Sequence, residues 1–235
     1  MSTRRSIAAV TTAFTLAVSC STVYALVPGP SLKQYAHHAW RVSDGFAGGK
    51  GLLAVAQAPD GYLLLATADG IFRFDGVRTV LWQPLSQALP GQVADLLFSR
   101  DGTLWIATLA GLASWKDGTL TRYSELERHQ VRHLVEDHEG AIWTVGRAPD
   151  FDIFCSVRGH RAQCYGADGS LRRLFGLFVD SKGNLWIATP NGLNLFDRHT
   201  NTFKSFHEQD GLPSELVLSI QEDDNGKLWI STLMH

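Results

Sequence analysis

The sequence predicts an all-β protein, a β-propeller made of four-stranded antiparallel blades. Two observations carry this prediction. A turn centred on glycine and followed by a short apolar strand occurs five times, and it recurs about every 40 residues, which is the length of a propeller blade. The strands after these turns have apolar or small residues on both faces, so each sheet must be covered on both sides. The five turn glycines are Gly61, Gly102, Gly140, Gly183 and Gly226.

Residues 91–128 illustrate how one repeat divides into strands. Val93–Phe98 is too short and too rich in aliphatic residues for a helix, so it predicts the first strand. A polar turn follows, and Leu104–Thr108 predicts the second strand, with successive side chains on opposite faces. A third strand is predicted within 111–118 and a short outer strand within 120–123.

The same division gives four full repeats and one partial repeat. They lie near 50–90, 91–128, 129–172, 173–212 and 213–235. The last repeat has two strands through Thr232, and no third-strand pattern follows before His235. About four and a half blades form an incomplete ring with an exposed edge, which soluble proteins usually avoid. We therefore expect this sequence to be the N-terminal piece of a longer protein.

Tryptophan recurs at one position of the second strand. The four copies are Trp105, Trp143, Trp186 and Trp229, and the first repeat has Leu64 instead. A row of tryptophans is one way to stack on carbohydrate rings. Because these side chains occupy the same strand position in each repeat, we expect them to pack between blades. We interpret Leu64 as an apolar substitution at a packing position.

The N-terminus has the pattern of an export signal. Arg4 and Arg5 precede an apolar run at 7–18, and a small-x-Ala pattern ends at Ala25. We therefore predict a signal peptide at 1–25, followed by a partial propeller sensor domain at 26–235. A lipoprotein signal ending at Cys20 is the alternative. No later apolar run approaches the roughly 20 residues that a membrane helix needs, so we expect no membrane span in the mature segment.

Two cysteines remain after the predicted signal. Cys155 and Cys164 form an even pair, and the segment between them is long enough for a hairpin to bring them together. An exported protein reaches an oxidising compartment, where disulfides form. A disulfide and two reduced, half-buried cysteines are both compatible with this spacing.

The third repeat departs from the pattern after Trp143, and it supplies our candidate ligand-binding residues. It lacks the usual third-strand signature and has a polar, charged stretch instead. Function in repeat proteins concentrates on loops held by a regular scaffold. The candidates are Arg147, Asp150, Arg158, His160 and Arg161. The alternative is a solvated hairpin held by a disulfide.

Composition and motifs argue against several other classes. The chain of 235 residues has 21 Lys and Arg, 23 Asp and Glu, and a formal net charge of −2, so a basic footprint for nucleic acid is missing. No hydrolase elbow, phosphate loop or HExxH pattern is present. The spacing of His129, His133 and His138 could gather a metal, with Glu136 and Asp137 nearby, but His133 and Asp137 bracket a repeat strand. We predict no catalytic residue, no metal and no cofactor.

Three motifs resemble a known repeat family. They are the DGxLWIAT strand, the GLxxFD strand and the DGLP turn, the last at 210–213, and the resemblance covers roughly 35–235. Together they resemble two-component regulator propeller repeats, found in periplasmic sensor regions of bacterial hybrid histidine kinases and some diguanylate cyclases.

This resemblance implies a periplasmic segment of a Gram-negative receptor that senses a small-molecule or glycan signal. Such a segment is not itself an enzyme. The kinase or cyclase output would lie beyond this chain, in a full-length receptor that is tethered to the inner membrane and able to form a homodimer.

Two other functions use the same fold. A secreted propeller enzyme, such as a lyase or a glycan hydrolase, would need acid, base or metal groups that converge on one face. A stand-alone binding propeller would need the ring to close.

Overall fold

The computed structural model describes residues 39–41, 46, 51–83, 89, 91–166 and 171–233. The predicted signal peptide at 1–25 lies outside the described residues. Within the described residues, eighteen strands form five antiparallel sheets, four of four strands and one of two. The predicted fold class, a β-propeller with an incomplete ring, is confirmed.

Each sheet is one blade, and its strands are hydrogen-bonded in chain order. Blade 1 contains β1 (Leu52–Gln57), β2 (Leu63–Thr67), β3 (Gly70–Phe74) and β4 (Thr79–Leu81). Blade 2 contains β5 (Val93–Phe98), β6 (Leu104–Thr108), β7 (Gly111–Lys116) and β8 (Thr119–Arg122). Blade 3 contains β9 (Gln130–Glu136), β10 (Ile142–Arg147), β11 (Asp152–Arg158) and β12 (Arg161–Tyr165). Blade 4 contains β13 (Gly176–Val179), β14 (Leu185–Thr189), β15 (Gly192–Asp197) and β16 (Thr202–Phe206), and the described part of blade 5 contains β17 (Val217–Glu222) and β18 (Leu228–Thr232).

The first strands of successive blades contact one another, so they form the inner edge of the arrangement. The core lies between blades rather than within a sheet, because both faces of each second strand are apolar. All five residues of β6 are buried, and β14 is almost as deeply covered. Burial on both faces is what the alternating pattern of Leu104–Thr108 predicts.

The turn between the first and second strands has a conserved geometry within the chain. In blade 3 the Asp137 carboxylate accepts hydrogen bonds from the backbone N–H groups of Glu139 and Ala141, both at 2.9 Å. Gly140 has φ = 81°, a left-handed conformation that favours glycine. The other four turn glycines also have positive φ, which explains why this residue recurs.

The repeated tryptophans connect this turn to the second strand. The indole N–H of Trp143 donates to Asp137 Oδ2 at 2.7 Å, and the same bond joins Trp186 to Asp180 at 2.9 Å. In blade 2 the acceptor is the hydroxyl of Ser99. The acceptor lies six residues before each tryptophan, a contact that we did not predict from the sequence.

Carboxylates beside the turns between first and second strands also join neighbouring blades. Glu136 of blade 3 accepts from the backbone N–H of Arg100 in blade 2 at 2.8 Å. Glu222 of blade 5 accepts from the backbone N–H of Ser181 in blade 4 at 2.6 Å. Each glutamate directly precedes the turn of its own blade, so the two contacts are equivalent by repeat position.

Blade 3 contains a disulfide between its two outer strands. Cys155 on β11 is paired in register with Cys164 on β12, and the sulfur atoms are 2.09 Å apart. This covalent link holds the strands that follow the irregular part of the third repeat. Across the described residues, the helices are too short to cross a membrane.

Candidate functional site

The turns between second and third strands differ between blade 3 and the other complete blades. In blade 2 the hydroxyl of Thr108 donates to the carbonyl of Gly111 at 2.8 Å, and in blade 4 Thr189 makes the same bond to Gly192. These turns contain two residues, as does the corresponding turn of blade 1. In blade 3 the equivalent of the threonine is Gly146, and the turn is longer, at 148–151.

Gly146 cannot carry a side chain at this place. A Cβ atom there would lie 2.1 Å from the carbonyl oxygen of Gln130 on the neighbouring strand. The pairing of β9 and β10 also shifts between Val145 and Gly146, and bulges of this kind redirect the residues that follow. The threonine turn is therefore lost, and the longer turn is closed by the N–H of Ala148 donating to the carbonyl of Phe151.

A cavity of about 460 Å³ lies beside this longer turn. Three segments form its walls: the blade 3 turn, the connection from blade 3 to blade 4, and the turn at 190–191 in blade 4. Its polar lining residues are Arg147, Asp150, Asp152, Arg172, Arg173 and Asn191. Two of the five candidates predicted from sequence, Arg147 and Asp150, thus lie at one cavity.

The cavity has an excess of positive charge. Three arginines and two aspartates line it, and Asp152 already accepts a hydrogen bond from the backbone N–H of Arg173. Within the described ranges, no carboxylate lies within 4.0 Å of the guanidinium groups of Arg147, Arg172 or Arg173. Unpaired guanidinium groups are suited to bidentate recognition of carboxylate, phosphate or sulfate.

The other three candidates lie at the opposite end of blade 3. Arg158 forms an ion pair with Glu139 at 2.5 Å, which satisfies its charge within the blade. His160 lies in the turn between β11 and β12, and Arg161 is paired in register with Arg158. The structure therefore does not bring the five candidates together in a single site.

Sequence reasoning missed Arg172 and Arg173. They form an arginine pair shortly before β13, in the connection that faces the irregular turn of blade 3. The signal in the sequence was two adjacent arginines at the boundary between the third repeat, which breaks the pattern, and the fourth. Their approach to Arg147 depends on how blades 3 and 4 pack, which the linear repeat does not reveal.

A second cavity of about 680 Å³ adjoins the first and shares Leu171, Arg172 and Asn191 with it. Its wall includes His207, whose Nδ1 lies 2.9 Å from Glu215 Oε2. Hydrogen bonds from His207 and from the backbone of Glu208 lower the pKa of the Glu215 carboxyl. In the portion of the chain that the structure describes, no three His, Cys, Asp or Glu side chains converge as ligands for a metal ion.

Comparison with known families confirms the predicted resemblance. A family model described as two component regulator propeller matches residues 211–233, which include the end of the DGLP turn, β17 and all of β18, the last tryptophan strand. The chain therefore contains a repeat of this type. No curated protein matches the sequence.

Solved structures with the same fold include both sensors and enzymes. The extracellular domain of a putative hybrid two-component system from B. thetaiotaomicron is 16% identical with a TM-score of 0.61, over 81% of this chain and 29% of that one. A virginiamycin B lyase from Staphylococcus aureus is 15% identical with a TM-score of 0.62, over 78% of this chain and 64% of the lyase. A gluconolactonase from Xanthomonas campestris is 17% identical with a TM-score of 0.53, over 76% of this chain and 68% of that enzyme. At these identities the likeness shows the fold alone.

Proposed function

We propose that this chain is the sensing propeller of an exported bacterial receptor, and that it binds a small anionic ligand between blades 3 and 4. The carrying observation is the cavity lined by Arg147, Arg172 and Arg173, where blade 3 abandons the repeat pattern. The receptor role is supported by the two-component regulator propeller repeat at 211–233. The segment itself is proposed to be non-catalytic, with output from a kinase or cyclase region of a longer, membrane-tethered protein.

The anionic character of the ligand follows from charge and geometry. A guanidinium group without a carboxylate partner at a cavity mouth gains a charge-assisted hydrogen bond when an anion binds, and such bonds are about twice as strong as neutral ones. Asn191 adds an amide that can bind a hydroxyl or carbonyl of the same ligand. A uronic acid, which combines a carboxylate with hydroxyls, has both kinds of group.

The binding test is calorimetric titration of the purified chain with glucuronate, citrate and inorganic phosphate, with glucose as the uncharged control. We expect at least one anion to bind, and Arg147→Gln and Arg172→Gln each to weaken it tenfold or more. Arg161→Gln is the matched control, because it removes an exposed arginine from the other end of blade 3. Loss of binding in Arg161→Gln alone, or no binding of any anion, would contradict the proposed site.

The receptor role has a separate test. Cells are fractionated, and peptides from residues 40–140 are detected by mass spectrometry in gel slices. A large species in the inner membrane supports a receptor. Detection only in a small soluble periplasmic species would refute it and leave the binding site to be explained in another way.

A propeller enzyme is the second candidate, favoured by one observation. The His207 and Glu215 pair at the larger cavity has the arrangement of a general base held by a carboxylate. Incubation of the chain with the anion that binds, followed by mass spectrometry of the products, tests it. Turnover that His207→Ala removes and His160→Ala retains would support an enzyme, and an unchanged ligand would exclude this candidate for that ligand.

A further inference from the structure

The interface between blades 1 and 2 lacks both members of the repeated tryptophan contact. Leu64 replaces the tryptophan on β2, and Ala58 stands six residues earlier, where blades 3, 4 and 5 have an aspartate. The replacement is therefore a paired one: the large ring and its hydrogen-bond acceptor are both missing. The side chains between blades 1 and 2 therefore fill the interface differently from those between blades 3 and 4.

The interface between blades 3 and 4 shows what normally fills this place. Trp143 is stacked on Tyr165 of its own outer strand at 6.1 Å between ring centroids. It meets Phe196, on the third strand of blade 4, edge to face at 5.5 Å. The indole thus packs against rings of its own blade, which include Phe154 at 4.9 Å, and against one ring of the next blade.

The same two aromatic positions are occupied around Leu64. Trp82 directly follows the outer strand of blade 1, and Trp115 lies on the third strand of blade 2. Their ring centroids are 6.0 Å apart, in an edge arrangement. Two aromatic rings that an indole could contact are therefore present, and they touch each other beside the smaller, buried Leu64.

A cavity of about 360 Å³ opens at this interface. Its apolar walls are Ala58, Leu64, Trp82, Phe98 and Trp115. Its rim is charged: Arg73 is paired with Asp60, and Lys116 is paired with Asp101, each at 2.7 Å. The apolar part of this wall can accept a flat aromatic molecule, whose burial removes apolar area from water.

Asp117 is a further charged residue at the rim of this cavity, and it supplies a carboxylate. In blade 4 the residue two positions after Phe196 is Arg198, which pairs with Asp137 beside the Trp143 ring. In blade 2 the residue two positions after Trp115 is Asp117. At this interface the carboxylate therefore belongs to blade 2, and it can accept a hydrogen bond from a molecule bound in the cavity.

We propose that the cavity between blades 1 and 2 binds a planar aromatic molecule of about indole size whose N–H or ammonium group faces Asp117. The molecule takes the place that tryptophan fills in the later blades. Aromatic pairs gain most in offset or edge arrangements, which the Trp82 and Trp115 walls offer. This site is separate from the anion cavity between blades 3 and 4, so it stands or fails independently.

The test is titration of the full chain with indole and with tryptamine, followed by ligand-observed NMR and calorimetry. We expect saturable binding of both, and tighter binding of tryptamine because its ammonium can pair with Asp117. Leu64→Trp fills the cavity with the residue of the other repeats, and it should weaken binding at least tenfold. Val80→Trp, which adds an exposed ring on β4 outside the cavity, should leave binding unchanged.

A second variant keeps the proposal testable if Leu64→Trp disturbs folding. Asp117→Asn conserves size and tolerates the left-handed conformation of that residue, which has φ = 49°. It should remove the preference for tryptamine over indole while both still bind. No saturation by either molecule, equal binding to a folded Leu64→Trp variant, or an unchanged preference in Asp117→Asn would each overturn the proposal.

Discussion

The interface between blades 1 and 2 and the interface between blades 3 and 4 use the same repeat positions in different ways. At the 3–4 interface Trp143 is 4% exposed and its indole N–H donates to Asp137, which is fully buried and paired with Arg198. At the 1–2 interface Leu64 and Ala58 occupy those positions and a cavity opens. One repeat position therefore either locks two blades together or leaves room for a ligand.

The largest effect is expected from removing the buried carboxylate of the 3–4 interface. Asp137→Ala leaves the indole of Trp143 and two backbone N–H groups without their acceptor and Arg198 without its counter-ion. Each buried N–H group left without its acceptor costs about 1–3 kcal/mol, so we expect a total loss of about 3–5 kcal/mol. Chemical denaturation followed by fluorescence measures this loss.

The matched control for this variant is Asp223→Ala in blade 5. Asp223 accepts from Trp229 through the same contact, but that ring is 67% exposed and has no described blade beyond it. We expect a much smaller loss of stability. Equal losses for the two variants would mean that the contact acts within each turn and not between blades.

The next largest effect is expected when the 3–4 interface is made to resemble the 1–2 interface. Trp143→Leu removes an indole packed against Phe154, Tyr165 and Phe196. The lost burial and the new cavity should cost about 2–4 kcal/mol. Trp229→Leu, at the exposed copy of this position, should change the free energy of unfolding by about 0.5 kcal/mol or less.

The regular repeats made the fold predictable from the sequence. The positions where a repeat departs from the pattern identified only some of the residues that line the two cavities. The turn glycines and the strand of Trp105 recur in register, which is sufficient to place blades. The acceptor of each indole was missed because Asp137 lies six residues from Trp143 and across a turn. Leu64 is buried in the core, as the packing interpretation predicts. The approach of Trp82 to Trp115 beside it was missed, because it depends on contacts between blades that no local pattern encodes.

The ligand-binding candidates show the same limit. Blade 3 stood out in the sequence because its repeat signature is lost after Trp143. The sequence does not reveal which end of the blade a residue occupies, so Arg147 and Arg161 were grouped although they lie at opposite ends. Arg172 belongs with Arg147 only because blade 4 packs beside blade 3.

A smaller effect is expected from acid, and it sharpens the same comparison. Burial raises the pKa of the Asp137 carboxyl, but hydrogen bonds from Trp143 and from the backbone, together with Arg198, outweigh burial and hold it below its ordinary value of 3.8. The stabilisation is therefore present above that value and is lost as the pH falls through the lower pKa of the folded state.

Denaturation of the wild type and of Asp137→Asn between pH 7 and pH 2 measures this effect. The stability difference between them should be constant from pH 7 to about pH 5 and should shrink below about pH 4, as the carboxylate is protonated. A difference that grows on acidification would show that the folded-state pKa lies above its ordinary value. Asp223→Asn serves as the exposed reference.

The smallest expected effect is the coupling created when the missing pair is restored to blade 1. Ala58→Asp and Leu64→Trp together supply the acceptor and the indole that the later blades contain, and a net hydrogen bond contributes about 1 kcal/mol. A double-mutant cycle from chemical denaturation isolates this coupling from the burial of the ring. Favourable coupling would mean that blade 1 retains the backbone geometry of the repeat and that only two side chains hold the cavity open. A coupling of zero would place the difference between the interfaces in the backbone, and the cavity would then be a feature of how blades 1 and 2 are spaced.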